Sequence, residues 1–220
     1  MLLDALGTLV ALDPPAPLLR EQLSTRFGIA VSDAQASAAL ATEIAYYQAH
    51  LHQGRDAGSL AALHSSCAEA LRAGMRPPEV LAAVDTPALA RALLASLRFT
   101  RYPDAAPALQ AARARGQRLV VVSNWDVSLA AVLQRAGLAP LLDGVVTAAQ
   151  VGVRKPGSEI FTRALALAGV GPEQAVHVGD SIEEDVAGAR GAGIAPVLLR
   201  RDRLAGPPGV RTIASLAELA

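Results

Sequence analysis

The chain has 220 residues, 52% hydrophobic and 18% charged, and its 20 basic and 20 acidic residues cancel to zero net charge. This composition excludes a disordered chain, allows a sizeable core, and gives no support for binding nucleic acid or a membrane surface. A single cysteine, Cys67, excludes an internal disulfide and fits a reducing cytosol. No basic segment precedes an apolar run at the N-terminus, and no stretch reaches the roughly 18 apolar residues that span a bilayer. A cytoplasmic protein without signal peptide or anchor is therefore expected, as a monomer or a homodimer. Aromatic residues are only 3%, so the core must be built from Ala, Leu and Val.

In chain order, residues 1–4 read as a first strand ending at Asp4, short for a central strand, where about five to six residues is usual. Residues 13–97 then carry almost no strand signal. Helices are predicted at 18–27, 33–52, 59–73 and 87–97, punctuated by Pro14, Pro15, Gly28, Gly54, Gly58, Pro77 and Pro78. From there apolar runs at 118–124, 144–148, 174–180 and 195–200 alternate with helical patterns at 104–115, 127–136, 158–168 and 183–192. Gly116, Gly137, Gly169 and Gly193 stand where those helices should end. The runs are rich in Val and Leu without clean alternation, the pattern of strands buried on both faces. The expectation is an α/β protein. A parallel, helix-covered sheet is built from residues 1–12 and 98–220, and a helical block, 13–97, is inserted after the first strand.

Four predicted strands end in residues able to do chemistry, at the sheet edge where open α/β sheets bind ligands. The first ends in Asp4-Ala5-Leu6-Gly7-Thr8, a carboxylate followed by a tight loop whose amides and hydroxyl can hold an anion; taken alone, these residues also suit a simple turn. The second ends in Ser123-Asn124, a phosphoryl-oxygen donor or a helix N-cap. The third site, Arg154-Lys155-Pro156, precedes a helix. Lys155 is the one lysine in the chain, which argues against an ordinary solvated lysine and for a compact positive charge in a site. The fourth is Gly179-Asp180-Ser181-Ile182-Glu183-Glu184-Asp185. Here Asp180 and Asp185 can hold a hard cation, and Ser181 with Glu184 reads as a capping box.

In this order, Asp4…Thr8, Ser123, Lys155 and Gly179-Asp180…Asp185 resemble the four motifs of the haloacid dehalogenase superfamily, and the resemblance covers the whole chain. It implies a Rossmann-like core with an α-helical cap at 13–97 that closes over the site and carries substrate specificity. It further implies a hydrolase in which Asp4 attacks a small phosphorylated substrate and forms an aspartyl intermediate. Mg2+ would be held by Asp4, the Leu6 carbonyl and Asp180, with Asp185 supporting a metal-bound water or Lys155. Thr8, Ser123, Asn124 and Lys155 would bind the substrate, and Ser123 and Lys155 would also act in catalysis.

The sequence departs from the family's phosphatases at Leu6, where they carry a second Asp that protonates the leaving group. General acid–base help is worth ~10²–10⁴-fold, so ordinary alkyl phosphates are expected to be poor substrates. Tyr46, His50, His52, Arg55 and Asp56 are substitute acids, although each also reads as part of a polar helix face. A haloacid dehalogenase, which needs no acid at that position, is the alternative enzyme, and a catalytically weak binding module the alternative of another class. A phosphonate-cleaving relative is excluded, because it would need a cap lysine and this chain has none. Trp125 and His177 read as packing residues, His177 hydrogen-bonded in the core, Cys67 as a small hydrophobe in a cap helix, and residues 200–203 as a solvated loop.

Overall fold

The computed structural model describes residues 1–219. The chain begins with β1 (Leu2–Leu3) and β2 (Val10–Leu12). Four helices follow: α1 (Pro15–Phe27), α2 (Asp33–His50), α3 (Ala57–Gly74) and α4 (Thr86–Ser96). After β3 (Phe99–Arg101) come α5 (Ala105–Ala114), β4 (Val120–Ser123), α6 (Leu129–Arg135), β5 (Gly144–Thr147), α7 (Ala148–Val151) and α8 (Ser158–Ala168). The last regular elements are β6 (Val176–Gly179), a π-helical turn (Ile182–Val186), α9 (Ala187–Gly191), β7 (Ala195–Leu199) and β8 (Arg211–Ile213). Two compact units result, Met1–Ala11 with the chain from Thr100 onward, and Leu12–Phe99. The chain crosses between them along β2 and β3, which pair as a two-stranded sheet.

The α/β unit is built on a six-stranded sheet in the order β5-β4-β1-β6-β7-β8, parallel throughout. β4 is buried on both faces along its whole length, which explains why Val120, Val121 and Val122 run together without a polar alternate. β1 lies at the centre, flanked by β4 and β6, so the chain diverges to opposite sides of it. Asp4, Ser123 and Asp180 thus leave three adjacent strands at the same sheet edge, beside the switch in strand order where α/β sheets bind ligands. The glycines expected to end helices do so: Gly116, Gly137, Gly169 and Gly193 all have positive φ. β8 is a strand the apolar pattern did not single out; its Arg211-Thr212-Ile213 is short, and only Ile213 is buried.

In the helical unit, Leu19, Leu23, Leu40, Leu63, Leu71 and Leu89 form one buried cluster. Polar residues fix the helix ends. Ser32 and Gln35 make a reciprocal capping box at α2, Asp56 and Ser59 make one at α3, and Asp85 accepts from Ala88 N at α4. Asp56, a substitute acid in the sequence reading, is thus engaged as an N-cap. His50 stacks on Tyr46 with ring centroids 4.0 Å apart, and its Nδ1 lies 2.7 Å from the Tyr46 carbonyl. Glu43 is buried on the face α2 turns toward α3, where its carboxyl meets the Cys67 thiol. Among the described residues no helix is long and apolar enough to cross a membrane.

Candidate active site

Asp4 continues β1, with its backbone N–H donating to Val178 O at 2.9 Å, so the sheet itself sets its position. The side chain is only 8% exposed. Its Oδ1 accepts from Lys155 Nζ at 2.6 Å and from Ser123 Oγ at 3.1 Å. These contacts span 151 and 119 residues of sequence and join three of the four predicted strand-end sites.

Lys155 is held by Asn124. The Asn124 side-chain carbonyl accepts from Lys155 N at 2.7 Å, and its amide donates to Lys155 O at 3.1 Å. Both ends of the Asn124 amide are thus engaged with the lysine backbone, and its observed part is to place that residue. The ammonium sits between two carboxylates, 2.6 Å from Asp4 Oδ1 and 2.6 Å from Asp185 Oδ1. A buried ammonium with two such partners stays protonated, and its pKa is raised although burial alone would lower it.

Asp185 is fixed from three directions: Lys155 Nζ and His177 Nε2, at 2.8 Å, donate to Oδ1, and Ser181 N donates to Oδ2 at 3.0 Å. Burial pushes its pKa up, but Lys155 and His177 outweigh burial and hold it well below the usual range. His177 is the hydrogen-bonded core histidine the sequence suggests, and its partner belongs to the site. The expected capping box is only half formed. Ser181 Oγ accepts from Glu184 N at 3.1 Å, but the Ser181 backbone N–H goes to Asp185, and Glu184 lies 3.6 Å from Arg154 instead. The π-helical turn gives Asp185 that position, with Asp185 N and Val186 N both donating to Ser181 O.

Asp180 reaches the surface, and one oxygen from each of Asp4, Asp180 and Asp185 lies within 4.8 Å of the others. Burial raises the pKa of Asp4, and so does the negative charge of Asp185; Lys155 offsets this only in part. Asp180 is pushed up to about 7 by burial first, then by Asp4 and Asp185. Three carboxylates share one ammonium. This charge deficit, presented by hard oxygen donors, fits a divalent cation such as Mg2+. The loop after Asp4 is shaped to allow the approach. Gly7 has φ +81°, and a Cβ there would lie 2.1 Å from Asp180 Oδ2. Ala5 O accepts from Leu9 N and Val10 N, while Gly7 N donates to Val10 O; the Leu6 carbonyl takes part in none of these bonds. Thr8 Oγ1 is buried and has no hydrogen-bond partner in the structure, so the hydroxyl can still receive one. Leu6 is 40% exposed.

Trp125, beside this cluster in sequence, is buried, and its Nε1 donates to Ser128 Oγ at 3.2 Å. Sequence reasoning missed Arg201 and Asp104. The solvated loop expected at 200–203 is wrong for Arg201, whose guanidinium is part-buried against Asp104 and against the Gly7 and Thr8 carbonyls.

Residues 1–193 match the haloacid dehalogenase-like hydrolase family, and the chain belongs to that family of hydrolases. Over 97 residues it is 43% identical to haloacid dehalogenase-like hydrolase domain-containing protein 3 of Xenopus laevis, covering 44% of this chain and 40% of that protein. It is 39% identical over 103 residues to a glyceraldehyde 3-phosphate phosphatase of Methanopyrus kandleri, covering 46% of this chain and 44% of that one. The matches thus span less than half the length of these relatives. Among solved structures, a phosphatase of the family from Thermococcus onnurineus superposes with a TM-score of 0.67 at 26% identity, covering 99% of this chain and 94% of that one.

Proposed function

We propose that the chain is a Mg2+-dependent phosphatase acting on a small phosphorylated molecule, with Asp4 as nucleophile. The supporting observation is the convergence of a buried Asp4, its Lys155 and Ser123 partners, and the Asp180 and Asp185 carboxylates at one sheet edge. Relatives named as phosphatases lie in the same direction. Asp4, Asp180 and the Leu6 carbonyl would hold the cation, with Asp185 in support. When bound, Mg2+ supplies the positive charge that lets a carboxylate and a phosphate approach each other.

The chain's own groups do the rest. Asp4 Oδ attacks phosphorus and carries the phosphoryl group as an aspartyl phosphate, which water then hydrolyses. Ser123 Oγ and the unpartnered Thr8 hydroxyl donate to phosphoryl oxygens. Lys155 stays charged and offsets the negative charge gathered at Asp4, while Asn124 keeps its backbone in place. The helical unit, Leu12–Phe99, serves as the cap that selects the substrate. Leu6 cannot deliver a proton, so the preferred substrates carry leaving groups that depart as stable anions. The same observation favours a second reading, a dehalogenase expelling halide, against which the acidic cluster argues.

The test is hydrolysis of an aryl phosphate with and without Mg2+, alongside Asp4→Asn. Metal-dependent turnover that drops about 10³-fold or more in the variant is expected for a lost nucleophile. Absence of turnover in the intact protein would refute the phosphatase reading, and metal-free release of halide from a 2-haloacid would install the second.

A further inference from the structure

We propose that Arg201 is a positioning residue for the nucleophile loop, fixing the Gly7 and Thr8 peptides so that the anion-facing side of the loop is set before substrate arrives. The proposal builds on the hydrolase site described above, and Arg201 touches no reacting atom in it.

The guanidinium makes four hydrogen bonds. Nε donates to Gly7 O at 3.1 Å and Nη2 to Thr8 O at 2.7 Å, while Nη1 and Nη2 each reach an Asp104 carboxylate oxygen at 3.0 Å. Its plane lies over the Tyr102 ring, 3.6 Å from the centroid, and Tyr102 N in turn donates to Leu9 O at 3.0 Å. Asp104 is itself held, by Ser215 Oγ at 2.7 Å and Leu216 N at 2.9 Å. Four of the five guanidinium N–H groups thus have partners on both Asp104 and the loop, which holds the fork in one orientation.

What the fork fixes follows from peptide geometry. In a planar trans peptide the C=O and N–H point in opposite directions. Drawing Gly7 O toward Arg201 therefore aims Thr8 N–H away from it. Drawing Thr8 O the same way aims Leu9 N–H away, where it meets Ala5 O at 2.8 Å. Arg201 thus determines which side of residues 7–9 presents donors and which presents carbonyls. A misdirected carbonyl would face an incoming phosphate with a partial negative charge. Lysine cannot substitute, because a single ammonium cannot bridge a carboxylate and two carbonyls in one plane.

The test compares wild type with Arg201→Met, Arg201→Lys and Asp104→Asn by two readouts. In the ligand-free protein, hydrogen–deuterium exchange of residues 5–10 is expected to quicken about tenfold in Arg201→Met while β4 and β6 keep their protection. With Mg2+ and an aryl phosphate, kcat is expected to fall about 10²-fold, with KM moving far less, because the loop is misaligned rather than the binding lost. Arg201→Lys recovers little of this, and Asp104→Asn changes both readouts in the same direction by less. Exchange at residues 5–10 that matches wild type overturns the proposal, as does a kcat loss accompanied by equal loss of protection across β4 and β6. A wild-type protein without turnover fails the phosphatase reading alone, and the exchange comparison then decides whether Arg201 holds the loop.

Discussion

Each unit buries acidic side chains, and each handles the cost differently. In the α/β unit, Asp4 and Asp185 are buried around a protonated lysine, with a histidine, a serine and a backbone N–H completing their hydrogen bonds. Lys155 and Asp185 stay ionised there because each has a charged or hydrogen-bonding partner, while burial still raises the pKa of Asp4. In the helical unit Glu43 is buried with its carboxyl at the Cys67 thiol; burial pushes its carboxyl up to about 7, and it is largely neutral below that pH. Placing a lysine between two carboxylates keeps ionised groups ready for chemistry. A lone buried carboxyl instead stores a pH dependence in the fold.

The largest expected effect would restore a charge the site lacks. Leu6 is 40% exposed, so Leu6→Asp can be accommodated with no apolar core residue lost. On the phosphatase reading, the added carboxyl supplies proton transfer, and hydrolysis of an alkyl phosphate should rise ~10²–10⁴-fold while an aryl phosphate gains much less. Equal changes for both leaving groups, measured as kcat/KM, would show that the missing acid is not what limits this enzyme. Lys155→Met removes the one cation between two buried carboxylates. Breaking a buried pair in this way costs about 3–5 kcal/mol, to be read from urea unfolding, and turnover should vanish with it. An unchanged midpoint would mean that the site sheds the unpaired charge by protonating a carboxyl, as Glu43 does in the helical unit.

Glu43→Gln probes the other unit. The folded-state pKa of Glu43, about 7, lies above that of an unfolded glutamate, so the native state binds the extra proton. Its stabilising contribution is complete at pH below about 4.5 and is lost as pH rises through about 7, amounting to about 3 kcal/mol over that range. Glu43→Gln, neutral at every pH, should flatten this decline. If the variant keeps the wild-type slope between pH 5 and 8, the pH dependence lies elsewhere.

The sequence made the α/β order, the inserted helices and three of the four strand-end sites legible because each is written in local residue types; Lys155 instead lies in the loop between α7 and α8 rather than at the end of a strand. Apolar runs mark five of the six strands of the sheet, glycines mark the helix ends, and a solitary Lys155 stands out by composition. What stayed hidden depends on distance or on fine backbone geometry. Arg201 and Asp104 are 97 residues apart, and Arg201 lies 194 residues from Gly7, so nothing local distinguishes it from the charged residues beside it. Ser181-x-x-Glu184 reads as a complete capping box, yet the π-helical turn gives the Ser181 backbone N–H to Asp185. Val10–Leu12 and Phe99–Arg101 are too short for a periodic signal, although they carry the chain between the units.

A smaller effect separates backbone strain from side-chain crowding, using one glycine from each unit. Gly28 ends α1 with φ +68°, and a Cβ there meets nothing within 4 Å. Gly7 has a similar φ of +81°, but its Cβ would fall 2.1 Å from Asp180 Oδ2. Both alanine variants share the cost of a left-handed backbone, about 1–2 kcal/mol. Only Gly7→Ala must also move Asp180 or tilt the loop. Mg2+ affinity measured by calorimetry should therefore fall about tenfold or more in Gly7→Ala, the scale seen when groups orienting a metal ligand are lost, and stay at the wild-type value in Gly28→Ala. If both variants lose stability equally and neither loses affinity, Asp180 has room to retreat without leaving the cation, and the close packing of Gly7 is a matter of fold alone. If affinity falls only in Gly7→Ala, that glycine is needed in the α/β unit because a carboxylate occupies the space a side chain would fill, whereas Gly28 is needed only for its backbone angle.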